Sequence, residues 1–306
     1  MRRALLGFAV AASLGGCGLG AGDDVGGVTM MVTRDFGVRD LEGSPAQVDV
    51  PGGETVMRAL QRSFAVKTRY GGGFVQSIEG VGGGRSGGRP FDWFFYVNGL
   101  LASEGAASTE LQRGDVVWWD LRDWGVTDRV PAVVGAFPEP FAHGIDGERL
   151  PTRVECAESA ADACAIVRDR LAEAGIIAGE AALETRGGAE LLRILVGPWP
   201  EVRVDFTARL IGDGPQASGV YAVPAEDGSE IDVLDARGEV VETLGAGTGL
   251  IAATANTGEK PAWIVTGTDQ AGLVMAARAL TVDALRDKFA IAIRDDLPIP
   301  LPAATR

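Results

Sequence analysis

The sequence predicts an α+β protein with an N-terminal β-grasp-like domain followed by a second α/β sandwich domain. In the first part of the chain, strand-forming stretches surround one amphipathic helix in the order β-β-α-β-β-β. In the second part, apolar strands alternate with helical patterns. The length of 306 residues is sufficient for two hydrophobic cores of ordinary size.

The composition is that of a globular protein. Hydrophobic residues make up 46% of the chain and charged residues 23%. The formal net charge of -14 argues against a nucleic-acid partner, because phosphate neutralisation requires clustered Lys and Arg side chains. Net acidity favours solubility and identifies no partner.

Residues 1–16 have the pattern of a lipoprotein signal peptide. Arg2 and Arg3 supply the positive region, and residues 4–14 are apolar but too few to span a bilayer. Residues 14–17, LGGC, resemble the bacterial lipobox, in which cleavage leaves Cys17 as the lipid-modified first residue. The sequence therefore predicts a protein anchored through Cys17 at the extracytoplasmic face of the cell membrane. A plain secretory signal and an uncleaved anchor are the alternatives.

A short tether and the first domain follow the signal. Residues 17–26 are small and polar, as in a flexible tether. The first domain is predicted over residues 27–125, with a first hairpin and then a helix at residues 54–64. In that helix Val56, Leu60 and Phe64 form one apolar stripe. The remaining predicted strands are residues 66–70, 74–81, 91–98, 100–103 and 115–124.

Residues 91–99, FDWFFYVNG, give the strongest local signal. Asn98 and Gly99 favour the positive φ angles of a type I′ hairpin turn. Strand alternation would place the side chains before this turn on two faces, one with Trp93, Phe95 and Val97 and the other with Phe94, Tyr96 and Asn98. This is more aromatic surface than one helix can cover, so the second domain, a ligand or a partner must cover the remainder.

Three segments resemble the transcobalamin-like C-terminal domain family, a β-grasp module of vertebrate cobalamin carriers and of many bacterial surface proteins. They are residues 73–80 (GFVQSIEG), 93–99 (WFFYVNG) and 114–120 (GDVVWWD), and the resemblance covers about residues 27–124. The helical half of the carriers, which holds much of the corrinoid, has no counterpart in this sequence. The β-grasp hairpins of the family touch ligand. The resemblance therefore implies a cobalamin-like ligand as one candidate, and ligand contacts from Trp93, Tyr96, Asn98 and Gly99, with Tyr70 and Phe74 behind them.

Residues 126–148 are predicted to be a linker or an extended crossover, because proline and glycine interrupt any periodic pattern. Residues 149–306 form the predicted α/β domain, whose role the sequence does not indicate. Its predicted helices are residues 159–174, 202–210 and 271–289, and its predicted strands are residues 191–196, 221–223, 231–235, 240–243, 250–253, 262–267 and 290–293. A proline-rich tail, residues 298–302, is predicted to be extended and outside any strand ladder.

Cys156 and Cys164 are the other two cysteines. In an extracytoplasmic compartment they can form a disulfide, or they can be two free buried thiols; the sequence leaves both open. A metal site is not predicted, because no further ligands lie nearby.

The sequence does not predict an enzyme. Residues 82–88, GGGRSGG, match two glycine-rich catalytic patterns, but both patterns require a helix to follow and here a strand is predicted. The single histidine, His143, lies in the predicted linker, so neither a Ser-His-Asp triad nor a His-rich metal site is expected. Asp120 and Asp123 could bind calcium, but they do not belong to an EF-hand loop.

The function predicted from these observations is that of a membrane-anchored extracytoplasmic binding lipoprotein. Its β-grasp module would present the aromatic hairpin to a small cofactor-like ligand, with a corrinoid as one candidate, or to a transporter partner. The alternative is a non-catalytic structural or adaptor lipoprotein that docks to an envelope protein complex.

Overall fold

The computed structural model describes residues 24–183 and 190–304. The protein is mixed α+β and mostly strands, and the described residues form two seven-stranded and two three-stranded sheets. Within those residues, none of the helices has the length and apolar character needed to cross a bilayer. The predicted signal peptide, Cys17 and the first part of the tether lie outside the described residues.

From residue 24, where the described part begins, the N-terminal half contains ten strands and one α-helix. They are β1 (Asp24–Arg34), β2 (Arg39–Asp40), β3 (Ala46–Pro51), α1 (Val56–Ser63), β4 (Val66–Arg69), β5 (Phe74–Ile78), β6 (Val81–Gly82), β7 (Gly84–Ser86), β8 (Arg89–Val97), β9 (Leu100–Leu101) and β10 (Val116–Asp123). The tether prediction extends three residues too far, because residues 24–26 already belong to β1, which pairs with β3 from Asp24 onward.

The first seven-stranded sheet is built around β1. This strand is antiparallel to β2 and β3 on one side and parallel to β10 on the other. Next, β10 pairs with β8, and β8 pairs with β7 and β9. The parallel pair requires a long crossover, which α1 and the intervening strands supply. The sheet is therefore mixed, as predicted. The predicted strands at residues 66–70 and 74–81 do not join it, because β4 and β5 form a separate three-stranded sheet with β6.

Helix α1 covers one face of this sheet. Thr55 caps its first turn by accepting a hydrogen bond from the Arg58 backbone N–H at 3.4 Å, and the chain becomes extended at Phe64. The predicted stripe is confirmed for Val56 and Leu60, which are buried on the helix. Phe64 is also buried, but it lies just outside the helix, which is shorter than the predicted residues 54–64. They belong to the same core as Trp93, Phe95 and Trp119 of the sheet.

The C-terminal half contains ten strands and five short or medium helices among the described residues. They are β11 (Thr152–Cys156), α2 (Ala161–Glu173), β12 (Ala178–Ala182), β13 (Leu192–Val196), α3 (Trp199–Val202), α4 (Pro215–Ser218), β14 (Ala222–Pro224), β15 (Ile231–Leu234), β16 (Val240–Leu244), β17 (Gly249–Thr254), β18 (Ala262–Gly267), α5 (Gln270–Arg278), α6 (Val282–Leu285), β19 (Ala290–Arg294) and β20 (Leu297–Leu301).

The main sheet of this half has the strand order β12-β11-β13-β18-β17-β19-β20. The first four strands are parallel and the last three are added antiparallel. Both faces of this sheet are covered, as the continuous apolar sequence of β13 predicts. Ile194 and Val196 belong to the core shared with α2 and α5, whereas Leu195 belongs to the core that faces the N-terminal half.

The prediction of a helix at residues 202–210 is wrong. Helix α3 ends at Val202, and only a 3₁₀ turn, Ala208–Ile211, follows. Asp205 explains the break, because its carboxylate accepts hydrogen bonds from the backbone N–H groups of Thr207 and Ala208 and also pairs with Arg193.

The predicted helix at residues 271–289 is two helices, α5 and α6. The second has its own cap, since Thr281 is extended and its hydroxyl accepts from the Ala284 N–H at 3.3 Å. The proline tail also differs from the prediction, because residues 297–301 form the edge strand β20. Pro298 and Pro300 occupy alternate positions, so their missing N–H groups are both on the outer side of the edge.

The connecting segment, residues 126–148, contains no helix or strand, yet it is not a solvated linker. Val130 and Val133 are buried between the two halves. Phe137 and Phe141 are buried in the helical core of the C-terminal half, where the Phe141 ring lies 5.1 Å from the Trp263 ring. The segment is therefore a packed crossover.

The two halves share an aromatic core that we call the seam core: Phe36, Tyr96, Trp118, Tyr221 and Phe289. The Phe289 ring lies 5.2 Å from Phe36, 5.6 Å from Tyr96 and 5.1 Å from Trp118, all edge to face. The aromatic surface of β8 and β10 that α1 does not cover is thus covered by the C-terminal half.

Candidate functional site

The site begins at the turn between β8 and β9, which we call the 98–99 turn. Asn98 and Gly99 have φ angles of 52° and 78°, as a type I′ turn requires. The connecting segment clamps this turn from behind, because the Val133 N–H donates to the Gly99 carbonyl at 2.8 Å. A Cβ on residue 99 would lie 2.8 Å from the Val133 carbonyl oxygen, so only glycine fits.

The Asn98 side chain holds the turn in place. It is 1% exposed. Its Nδ2 donates to Asp115 Oδ1 and to the Gly144 carbonyl, both at 2.9 Å, and its Oδ1 accepts from the Val116 N–H at 2.9 Å. Protein groups therefore satisfy both donors and the acceptor of the predicted ligand contact Asn98.

Trp93 and Tyr96, also predicted as ligand contacts, lie in the core instead of on a ligand-binding surface. Trp93 is on the α1 side of the sheet and donates its Nε1–H to the Val81 carbonyl at 3.3 Å. Tyr96 is fully buried in the seam core. The physical reason is that both faces of β8 are covered, one by α1 and the other by the C-terminal half.

Tyr70 and Phe74 lie elsewhere, at the turn between β4 and β5. Both are exposed, and their rings are 6.3 Å apart. Neither side chain lines the cleft described next.

A cleft of about 710 Å³ opens beside the 98–99 turn. Leu100 and Leu101 of β9 line one wall, and residues 255–260, between β17 and β18, line another. Arg129 connects these walls, because it lines the cleft and its Nη2 donates to the Ala255 carbonyl at 2.7 Å. The cleft is thus formed jointly by the two halves of the chain.

The cleft lining combines polar and apolar groups, and its charged side chains are mainly acidic. Its charged residues are the acids Glu104, Glu110, Asp146 and Glu259 and the bases Arg129 and Lys260. Ser103, Ser108, Thr109 and Thr257 add hydroxyl groups. Such a lining offers hydrogen bonds and a net negative potential to a bound molecule.

Behind the turn, the connecting segment contains a buried carboxylate, Glu139, that binds His143. The His143 ring Nδ1 lies 2.5 Å from Glu139 Oε1, and the His143 backbone N–H donates to Glu139 Oε2 at 2.8 Å. Burial raises the pKa of Glu139, and its hydrogen bonds to His143 oppose this shift. Burial also raises the pKa of Asp115, with hydrogen bonds from Gln112 and Asn98 opposing it. His143 thus holds the loop in place.

The other candidate residues have structural partners. Asp120 accepts three hydrogen bonds, and Asp123 pairs with Arg89. Cys156 and Cys164 form a disulfide that joins the end of β11 to α2. Throughout residues 24–183 and 190–304, no three His, Cys, Asp or Glu side chains are arranged to share a metal ion.

The glycine-rich residues 82–88 run through β6 and β7 into β8, so a strand follows them, as predicted. Sequence reasoning missed residues 255–260 and Arg129 as cleft residues. Asn256, Thr257 and Gly258 indicate a loop between two strands, but nothing in the sequence places that loop opposite β9.

One comparison with known proteins matches a part of the chain that includes the 98–99 turn. A family model described as "Domain of unknown function (DUF4430)" matches residues 53–123. Among solved structures the chain is similar to haptocorrin in complex with Cbi, with 19% sequence identity and a TM-score of 0.25 over 32% of this chain and 25% of that chain. The chain thus spans about a quarter of that protein's length. No curated protein matches it.

Proposed function

We propose that this protein is a non-catalytic, membrane-anchored extracytoplasmic binding protein that takes a small ligand in the cleft beside the 98–99 turn. The observation that carries the proposal is the cleft itself. Its volume of about 710 Å³ lies within the range of roughly 300–1,000 Å³ that is typical of small-molecule sites.

The turn that forms one side of the cleft is held rigidly before any ligand arrives. Val133 clamps Gly99, and the Asn98 side chain is fully hydrogen-bonded. A preformed wall lowers the entropic cost of binding. In this proposal Asn98 and Gly99 act by shaping the cleft, and the residues that touch the ligand are their neighbours Leu100 and Leu101.

The lining suggests the class of ligand. Four carboxylates against two basic side chains favour a polar molecule that is neutral or positively charged. A corrinoid belongs among the compounds to be tested because the 93–99 segment resembles the transcobalamin-like family. Amines, sugars and nucleosides complete a panel with the chemistry of the lining.

A ligand from this panel is expected to raise the melting temperature of the chain from residue 18 onward. Binding to the folded state alone stabilises it by about 2.7 kcal/mol at a ligand concentration one hundred times Kd. Differential scanning fluorimetry measures the shift. For a cationic ligand, Glu104→Lys combined with Glu259→Lys should reduce the shift, because both carboxylates line the cleft.

Glu42→Lys is the matched control, since Glu42 is an exposed acid that does not line the cleft. It should leave the ligand-induced shift unchanged. If no member of the panel changes the melting temperature, the binding proposal fails.

Cys17→Ser is expected to move the protein from the membrane fraction to the soluble fraction of cells. Buried acyl chains contribute about 0.8 kcal/mol per methylene, and the serine variant cannot carry them. Immunoblotting of the two fractions measures this, with Ser13→Ala as a control that keeps Cys17. Unchanged membrane fractionation of Cys17→Ser would show that the lipobox prediction is wrong.

One observation favours the second candidate, an adaptor lipoprotein that docks to an envelope protein complex. Ile177, the residue immediately before β12, is 96% exposed. This strand is at the edge of its sheet, and its outer side pairs with no strand in the described part of the chain. An exposed edge with an apolar side chain can accept a partner strand.

A further inference from the structure

The turn between β4 and β5 presents two aromatic rings to solvent. Tyr70 is 86% exposed and Phe74 is 39% exposed. Tyr70 also has a φ angle of 51°, in the left-handed region that bulky side chains disfavour. Such local strain is retained when the surrounding structure fixes it and is common at functional positions. The fold therefore holds a large aromatic side chain outward at an energetic cost.

The same turn is basic in an acidic protein. Residues 55–78 contain four basic residues and no acid, whereas the whole chain has a net charge of -14. Lys67 and Arg69 are exposed at alternate positions of β4, and Arg69 is the register partner of Phe74. The other two, Arg58 and Arg62, pair with Glu54.

Lys67 and Arg69 have no ion-pair partner among the described residues. Their charges are therefore available to an external group. Together with the two rings they form a surface that we call the β4–β5 tip: Lys67, Arg69, Tyr70 and Phe74.

We propose that the β4–β5 tip docks on the surface of an anionic lipid bilayer. Tyr and Phe rings favour the boundary between headgroups and acyl chains, and adjacent Lys and Arg side chains are attracted to anionic headgroups. The rest of the chain is acidic and is repelled by such a surface, so this contact would also set the orientation of the protein. An acidic protein partner with an apolar pocket is the alternative occupant, and the absence of binding to vesicles would favour it.

The proposal is independent of the cleft and of Cys17, so its test uses the chain from residue 18 onward. This chain lacks the acylated cysteine and keeps every residue that the structure describes. Cosedimentation is measured with vesicles of phosphatidylcholine alone and with vesicles containing one part phosphatidylglycerol in three. We expect binding to the anionic vesicles that weakens as salt is added.

Two double variants separate the contributions of charge and aromatic side chains. Lys67→Ser with Arg69→Ser should lower the partition coefficient on anionic vesicles by about tenfold or more, since each basic residue near the surface contributes about fivefold. Tyr70→Ser with Phe74→Ser should lower it on the same vesicles by a similar factor. Both pairs are at exposed positions, so unchanged melting temperatures will verify that the variants fold.

The matched control is Phe206→Ser with Arg209→Ser. Phe206 is 56% exposed, and the Arg209 guanidinium lies 4.4 Å from its ring, so this pair is also an exposed aromatic and a base. The control should bind anionic vesicles like the parent chain. The proposal is overturned if the parent chain binds both kinds of vesicle equally or binds neither. It is also overturned if the control variant loses as much binding to anionic vesicles as the two β4–β5 tip variants.

Discussion

Replacing Phe289 with alanine is expected to lower the free energy of unfolding by about 3–5 kcal/mol. Phe289 is 3% exposed and comes from the C-terminal half, yet its ring contacts Phe36, Tyr96 and Trp118 of the N-terminal half. Alanine would leave a cavity between the two sheets. The sheets cannot close it, because interstrand hydrogen bonds fix the backbone of each. The loss therefore includes the cavity as well as the buried ring surface.

Urea unfolding followed by tryptophan fluorescence measures this loss, because Trp118 lies in the seam core. Phe206→Ala is the control, since Phe206 is 56% exposed, and it should cost less than about 1 kcal/mol. A loss no greater than that of the control would mean that the seam core does not couple the halves.

Asp120→Ala is expected to cost a similar amount, about 3–5 kcal/mol. The Asp120 carboxylate is fully buried and accepts from the Thr33 hydroxyl at 2.6 Å, the Phe36 N–H at 3.0 Å and the Gly37 N–H at 2.9 Å. Alanine would leave these donors without an acceptor inside the fold. Differential scanning calorimetry measures the loss, and Asp49→Ala, at an exposed position of β3, is the control.

Asp120 also makes the stability of the folded protein depend on pH. Burial raises the pKa of Asp120 in the folded state, against its hydrogen bonds from Thr33 and Gly37. The folded state therefore binds the proton more tightly than the unfolded state. Between the ordinary aspartate pKa of about 4 and the raised pKa, the wild type gains stability as the pH falls.

An Asp120→Asn variant cannot take up this proton. The unfolding free energy of the wild type minus that of Asp120→Asn should therefore increase as the pH falls from 7 toward 4. The same comparison with Asp49→Asn, at its exposed position, controls for general charge effects. If this difference, wild type minus variant, stays constant or decreases as the pH falls, the raised pKa of Asp120 is contradicted.

The parts of the fold that the sequence predicted depend on neighbouring residues. The 98–99 turn follows from the φ preferences of Asn and Gly, and α1 follows from the spacing of Val56, Leu60 and Phe64. The two faces of β8 were also predicted, because side chains alternate along any regular strand. Local rules were sufficient for these features.

The parts that the sequence could not predict depend on contacts between distant residues. Residues 202–210 have helical spacing of apolar residues, but Asp205 pairs with Arg193 of β13 and binds the backbone ahead of it, which ends the helix. The resemblance to the transcobalamin-like family implied a ligand contact for Tyr96, and nothing local in the sequence shows that Phe289 covers its ring. The cleft required residues 255–260 to meet β9, a contact across more than 150 positions of the chain.

The central position of β1 limits how this chain could be inherited or recombined. The segment that the family model matches starts at residue 53, after β3, whereas β1 lies between β3 and β10 and forms the parallel ladder with β10. A gene fusion that cut at residue 53 would leave β10 with an open edge and remove Phe36 from the seam core. The unit that must be inherited together in this protein is therefore longer than the segment that the family model matches.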